Sequence, residues 1–175
     1  MQATAIQIDP ATPDDVPLLL RLIGELAEYE KLQHQVVATE SGLHAALFGP
    51  RPVAAAVIAR VGASPAAFAL YFHNFSTFLG KPGLYLEDLF VRPEFRGRAI
   101  GKRLLVHLAQ LAVAENCERF DWAVLDWNQP AREFYESLGA EANAAWINYR
   151  ISGDALRRLA AGDAPVGDAP IRGAQ

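Results

Sequence analysis

Residues 84–105, LYLEDLFVRPEFRGRAIGKRLL, decide how this 175-residue chain is read. The run 84–91 is apolar and β-branched or aromatic enough for a strand, and Pro93 ends it. Arg96 and Gly97 make a turn. From Ile100 the period changes: Ile100, Leu104, Leu105, Leu108, Leu111 and Ala112 recur at helical spacing. A strand feeding a helix through so short a turn leaves the first N–H groups of that helix without acceptors, at the positive end of its macrodipole. Gly97, Ala99 and Gly101 are small enough to let an anion approach those groups, and Arg96, Arg98, Lys102 and Arg103 add positive potential. The segment is neither a Walker A loop nor a dinucleotide fingerprint, because the glycine spacing fits neither. Taken alone it implies a diphosphate cradle, with a nucleotide as good an occupant as any other diphosphate.

Working outward, residues 4–9 alternate and read as an opening strand closed by Pro10. Thr12, Pro13 and Asp15 form a helix start, and Leu18, Leu19, Leu22, Ile23, Leu26 and Tyr29 supply the apolar face that follows. A second helix is expected after Thr39, stopping at Gly49-Pro50. Residues 53–59 and 66–72 look like buried strands joined around Gly62 to Pro65. Beyond the central helix, FDWAVLD returns to strand, residues 130–138 form a short helix ended by Gly139, and AWINYRI (145–151) reads as a final strand. This order predicts an α/β fold with a mixed, twisted sheet flanked by helices. Residues 1–160 are expected to form one domain. Residues 161–175, rich in Ala, Gly, Pro and Asp, are expected to be a flexible tail.

A second motif narrows the chemistry. DWNQPAREFYESLGA (126–140) resembles the N-x-x-A-x-x-x-Y-x-x-x-G-F block of the GNAT superfamily of N-acetyltransferases, with Asn128, Ala131, Tyr135 and Gly139 in place and Ala140 for the phenylalanine. RGRAIG (96–101) resembles motif A of the same superfamily, Q/R-x-x-G-x-G/A, with Ala99 standing where a glycine is usual. Together with ATPDDVPLLLRLIGELAEYEKL and YLEDLFV, these phrases are similar to the diamine (spermidine/spermine) N-acetyltransferase-like branch, from about Ile6 to Leu159.

The resemblance implies a GNAT fold, acetyl-CoA as cosubstrate, and transfer of the acetyl group to a primary amine of a small molecule. A polyamine, a diamine, or a thialysine- or lysine-like amino acid fits that description. It implies that Glu87 is the base and Tyr135 the acid for the departing thiolate. The cofactor would lie on Leu89, Phe90 and Val91 by strand-like pairing, on Arg96, Gly97, Arg98, Ala99, Ile100, Gly101 and Lys102 at the cradle, and on Asn128, Ala131 and Tyr135, with orientation of the helix as the alternative role of Asn128. Tyr29, Glu30, Glu87 and Asp126 would face the amine, and Phe72, Trp122, Trp127 and Trp146 are aromatic candidates for the cleft. From the residues alone, Glu87 is a carboxylate in an otherwise apolar strand that demands an explanation, solvation on an outward face being the plain alternative. Gln33 and His34, where polyamine enzymes often carry acids, weaken the case for a long polycation. Acetylation of a protein amine, or a non-catalytic acyl-CoA-binding module, are the competing functions.

Composition limits the alternatives. Twenty acidic against sixteen basic residues leave a net charge of −4, without the basic stripe a nucleic-acid binder needs. The single cysteine, Cys117, excludes an internal disulfide and favours a cytoplasmic setting. The four histidines show no ligand spacing, so no metal is expected. Nothing reads as a signal peptide or membrane span. A homodimer is implied by the resemblance.

Overall fold

The computed structural model describes residues 5–163, which fall into two compact units divided between Leu125 and Asp126. The first is built on a five-stranded sheet: β1 (Ile6–Pro10), β2 (Ala55–Val61), β3 (Ser64–Ser76), β4 (Lys81–Val91) and β5 (Phe120–Trp122). The strands lie in the order β1-β2-β3-β4-β5, antiparallel except for the parallel pair β4–β5. The sheet is therefore mixed, as the element order predicts. Its parallel pair needs a crossover, which α3 (Ile100–Ala114) provides.

The opening helix begins as the sequence reads. The Thr12 N–H and hydroxyl both donate to the Asp15 carboxylate at 2.9 Å, residues 13–15 make one 3-10 turn, and α1 (Val16–Glu30) follows. Lys31, left-handed at φ 62°, ends it. Thr39 caps α2 (Glu40–Phe48) by accepting the Gly42 N–H at 3.1 Å. Leu19, Leu22 and Leu26 of α1 and Leu47 of α2 pack on Ala56, Ile58, Phe68 and Phe90 of the sheet. Each such leucine stabilises the fold by about 1.5–3 kcal/mol on burial. On α3, Leu104 and Leu108 are fully buried, and the helix packs on β4, β3 and β1.

The second unit holds α4 (Gln129–Glu136) and α5 (Gly153–Ala160). Here the sequence reading needs correction. The segment 145–151 is not a strand: no residue between 141 and 152 joins a ladder, and Trp146, Ile147 and Tyr149 are 71%, 76% and 93% exposed. Period-two apolarity makes a strand only where a neighbouring strand supplies hydrogen bonds, and among the described residues the sheet ends at β5. The strand expected over FDWAVLD is realised only as Phe120–Trp122, and α5 was not anticipated. The expected tail lies, from residue 164 on, outside the described residues. No helix among them is long and apolar enough to cross a membrane.

Candidate active site

The turn from β4 into α3 lies where the sequence places it, with one unforeseen feature. The chain passes twice through left-handed backbone there, at Gly97 with φ 75° and at Ala99 with φ 59° and ψ 19°.

 Ala99 caps α3 without a side-chain hydrogen bond, and its carbonyl accepts the Arg103 N–H at 3.0 Å. The N–H groups of Ile100, Gly101 and Lys102 therefore stand at the start of a fifteen-residue helix with no intrahelical acceptor. A left-handed alanine costs about 1–2 kcal/mol, which a glycine would not incur. The departure from motif A is thus a backbone cost more than a narrowing of the anion pocket. Arg98 and Lys102 are exposed beside the turn, so the donor set (backbone N–H groups, small residues and mobile cations) fits a diphosphate.

Arg96 does something else here. Its Nε donates to the Val91 carbonyl at 3.0 Å, and its guanidinium lies 4.6 Å from the centre of the Tyr29 ring and 5.9 Å from that of Phe90. Four residues earlier, Arg92 holds Glu25 through two bonds of 2.7 and 2.6 Å and also donates to the Pro65 carbonyl at 3.0 Å. Glu25 and Tyr29 are one turn apart on α1. Two arginines thus fasten the end of β4 and the cradle turn to one face of α1. Sequence reasoning missed this strut, although the matching four-residue spacings of Glu25/Tyr29 and Arg92/Arg96 carry a signal for it.

β4 supplies the next feature. Its ladder with β3 slips between Leu70 and Tyr71: Leu70 pairs with Asp88 but Tyr71 pairs with Leu86, leaving Glu87 as an extra residue. Such a bulge reverses which residues face each side beyond it. Leu89 and Val91 approach Gly101 of α3, whose Cβ would sit 3.8 and 3.7 Å from their side chains. Phe90 packs with α1, and Asp88, two residues before it, turns to that same side. Glu87 is exposed. Pairing with β5 covers only Leu84 to Leu86, so the outer edge of β4 from Glu87 onward has no strand beside it among the described residues. Leu89, Phe90 and Val91, expected to pair with an extended ligand, lie on that stretch.

Three carboxylates converge at the end of α1. Burial, and then the charges of Glu87 and Glu30, push the Asp88 carboxyl up to about 6. Burial also raises Glu30. Tyr29 and Glu30 are thus brought close to β4 and the turn that follows it.

In the second unit, Asn128 is buried and its Oδ1 accepts the Ala131 N–H at 3.4 Å. Asn128 thereby caps the start of α4, which fits the helix-orienting alternative read for it from the sequence. Tyr135 is half-buried on α4, its ring 5.5 Å from that of Phe134. Asp126 is exposed, and its carbonyl accepts from Arg132 at 3.3 Å. Of the aromatic candidates, Phe72 stacks near Tyr85 at 5.0 Å and Trp122 meets Phe120 edge-on at 5.1 Å. Trp127 and Trp146 are exposed. Among the described residues, no three His, Cys, Asp or Glu side chains group to hold a metal.

A helix start open to a diphosphate, at the end of a bulged strand in a mixed sheet, defines an acyl-CoA N-acyltransferase architecture. The model of the acetyltransferase (GNAT) family matches residues 21–140, and the chain belongs to that family. It is 38% identical over 168 residues to a thialysine N-epsilon-acetyltransferase of Sus scrofa, covering 89% of this chain and 98% of that one. An L-ornithine N5-acetyltransferase of Arabidopsis thaliana is 34% identical, with 85% of each covered. Among solved structures, an integron cassette protein from the mobile metagenome of V. cholerae superposes with a TM-score of 0.75 at 30% identity, covering 89% of this chain and 97% of that one.

Proposed function

We propose that this enzyme transfers the acetyl group of acetyl-CoA to a primary amine of a small, lysine- or ornithine-like molecule or a short polyamine. The observation that carries the reading is the uncapped, small-residue start of α3 at the end of a strand whose outer edge is open. Similarity to relatives named for thialysine and ornithine acetylation supports the acceptor class. Acetyl-CoA, when bound, supplies an activated thioester.

The chain's own residues supply the rest. The N–H groups at Ile100, Gly101 and Lys102 hold the diphosphate, with Arg98 and Lys102 adding charge. Backbone groups of Leu89 to Val91 orient the extended arm by strand-like pairing. Glu87, extruded by the bulge, takes the proton that the acceptor ammonium must lose before the neutral amine attacks the thioester carbonyl, directly or through water. The Tyr135 hydroxyl gives a proton to the departing thiolate. Tyr29 and Glu30 hold the amine at the end of α1. The proposal includes a homodimer acting in the cytoplasm, supported by the resemblance to the diamine branch.

The test is thiol release from acetyl-CoA with thialysine, lysine, ornithine, putrescine and spermidine. Turnover with at least one of them is the expected result. Acetyl-CoA binding without turnover on any amine would instead identify a non-catalytic acyl-CoA module.

A further inference from the structure

Ion pairs fasten α1 to the sheet near both of its ends, and the two fastenings differ. At the start, Asp15 in the turn before α1 meets one guanidinium nitrogen of Arg60, on β2, at 2.6 Å. Near the end, Glu25 meets Arg92, the residue after β4, through both carboxylate oxygens: Nε and Nη2 donate at 2.7 and 2.6 Å. The remaining nitrogen of Arg92, Nη1, donates to the Pro65 carbonyl at 3.0 Å, and its backbone N–H donates to the Ala66 carbonyl at 3.0 Å. Arg92 is thus fixed to β3, and from there it holds α1.

Apolar packing alone places a helix less closely along its own axis. Leu19, Leu22 and Leu26 set how deep α1 lies on the sheet, but burial is non-directional. A two-bond pair of guanidinium and carboxylate has one geometry. Arg92 is only 20% exposed, so salt and water screen the pair little. Both oxygens of Glu25 are engaged with Arg92, so its effect on a ligand runs through what it positions.

Tyr29 is the residue so positioned. It lies one turn beyond Glu25 on α1, and its ring meets the Arg96 guanidinium at 4.6 Å. Arg92 and Arg96 stand at the two ends of one 3-10 turn, residues 93–95. The Phe95 N–H donates to the Arg92 carbonyl at 2.9 Å, and the Arg96 N–H to the Pro93 carbonyl at 3.2 Å. Two contacts therefore run side by side from this turn to α1. The ion pair has the fixed geometry, whereas a cation over a ring tolerates sliding.

We propose that Glu25 and Arg92 are a positioning pair for amine transfer: they set where the Tyr29 ring stands beside β4, and so how tightly the acceptor is held. This inference rests on the amine-transfer reading above, in which Tyr29 faces the acceptor. Loss of the pair leaves the start of α3 in place, because Gly97 and Ala99 set that turn through their own backbone. The effect therefore falls on the amine and not on acetyl-CoA.

The experiment uses whichever amine of the panel above the wild type turns over fastest. It measures kcat and KM for that amine, acetyl-CoA affinity by calorimetry, and thermal melts. The variants are Glu25→Gln, Arg92→Gln, the two combined, and Glu25→Gln in a Tyr29→Ala background. Each single variant should raise the amine KM by about tenfold, within the usual coupling of residues in one network. Turnover number and acetyl-CoA affinity should stay close to the wild type. The combined variant should be no worse than Arg92→Gln, and Glu25→Gln should add nothing in the Tyr29→Ala background. Should the glutamine variants fail to fold, Arg92→Lys, which keeps one bond to Glu25, should raise the amine KM by a smaller factor. An unchanged amine KM, an equal loss of acetyl-CoA affinity, or a full effect of Glu25→Gln without Tyr29 would overturn the inference while leaving amine transfer intact. No turnover by the wild type on any amine would instead overturn the amine-transfer reading, and the inference with it.

Discussion

The start of α3 and the end of α1 lie on the same unit and are joined by Arg96, yet in the proposed function they recognise their ligands by different means. At α3 the recognising groups are backbone N–H groups, set by a turn through Gly97 and Ala99. At α1 they would be side chains, Tyr29, Glu30 and Glu87, placed by a helix end and a strand bulge. The difference explains what each can vary. A backbone cradle binds the same diphosphate whatever the neighbouring side chains, while a side-chain wall can be retuned for a new amine by one substitution. Arg96, bonded to Val91 and stacked on Tyr29, ties the constant part to the variable part.

The largest expected effect separates chemistry from both binding regions. Glu87→Gln should lower kcat by about 10²-fold or more, the range for losing a general base. The loss should be greatest at low pH, where the amine is most protonated. It should leave the KM for acetyl-CoA unchanged, and a flat response in steady-state kinetics would remove Glu87 as the base. Next comes Lys102→Glu. An acidic residue in the first turn favours the helix by about 0.3–1 kcal/mol but opposes a bound diphosphate. Calorimetry should therefore show acetyl-CoA binding weakened by about tenfold or more, with thermal stability kept or raised and amine KM little changed. Unaltered binding would place the diphosphate away from α3.

A smaller effect concerns stability at the acidic wall. Asp88 has a raised carboxyl in the folded chain, so the folded state holds its proton more tightly than the unfolded state. Stability is therefore lost as pH rises between the ordinary value of 3.8 and about 6, and stays lower above that window. Asp88→Asn removes this penalty. Partial exposure and the neighbouring carboxylates reduce its size, and an increase in Tm of about 2–4 °C at pH 7.5, with little change at pH 4, is expected from thermal melts. A lower Tm at both pH values would mean that Asp88 is structural. The smallest effect is at the cradle. Ala99→Gly relieves a left-handed alanine but adds freedom to the unfolded chain, for a net gain of about 0.5–1 kcal/mol in denaturant unfolding. A loss of stability would show that the methyl group packs usefully.

The same contrast decides what could be read before the structure. The α3 cradle was legible because a strand, a proline, a turn of small and basic residues and a helical period follow one another within 22 residues, 84–105. The mixed sheet followed from the order of elements. The bulge at Glu87 was not legible, because a slip of register is decided by the ladder with β3 and leaves no mark in the residues 84–91 themselves. Alternation alone could not say which of Glu87 and Asp88 turns toward α1. The strut from Arg96 to Tyr29 joins positions 67 residues apart, which local patterns do not reach. The segment 145–151 shows the opposite error: a good strand pattern with no ladder to join. Asn128, read as a ligand to the cofactor or as orienting the helix, has a local use at the start of α4 that its type and position suggest.

The most direct test of the division between the two regions is amide chemical-shift mapping on the isotope-labelled protein, titrated first with acetyl-CoA and then with a diamine. Acetyl-CoA should move the amides of Gly97 to Lys102 most, and the diamine should move those of Tyr29, Glu30 and Glu87. Acetyl-CoA shifts that leave the start of α3 untouched would contradict the account.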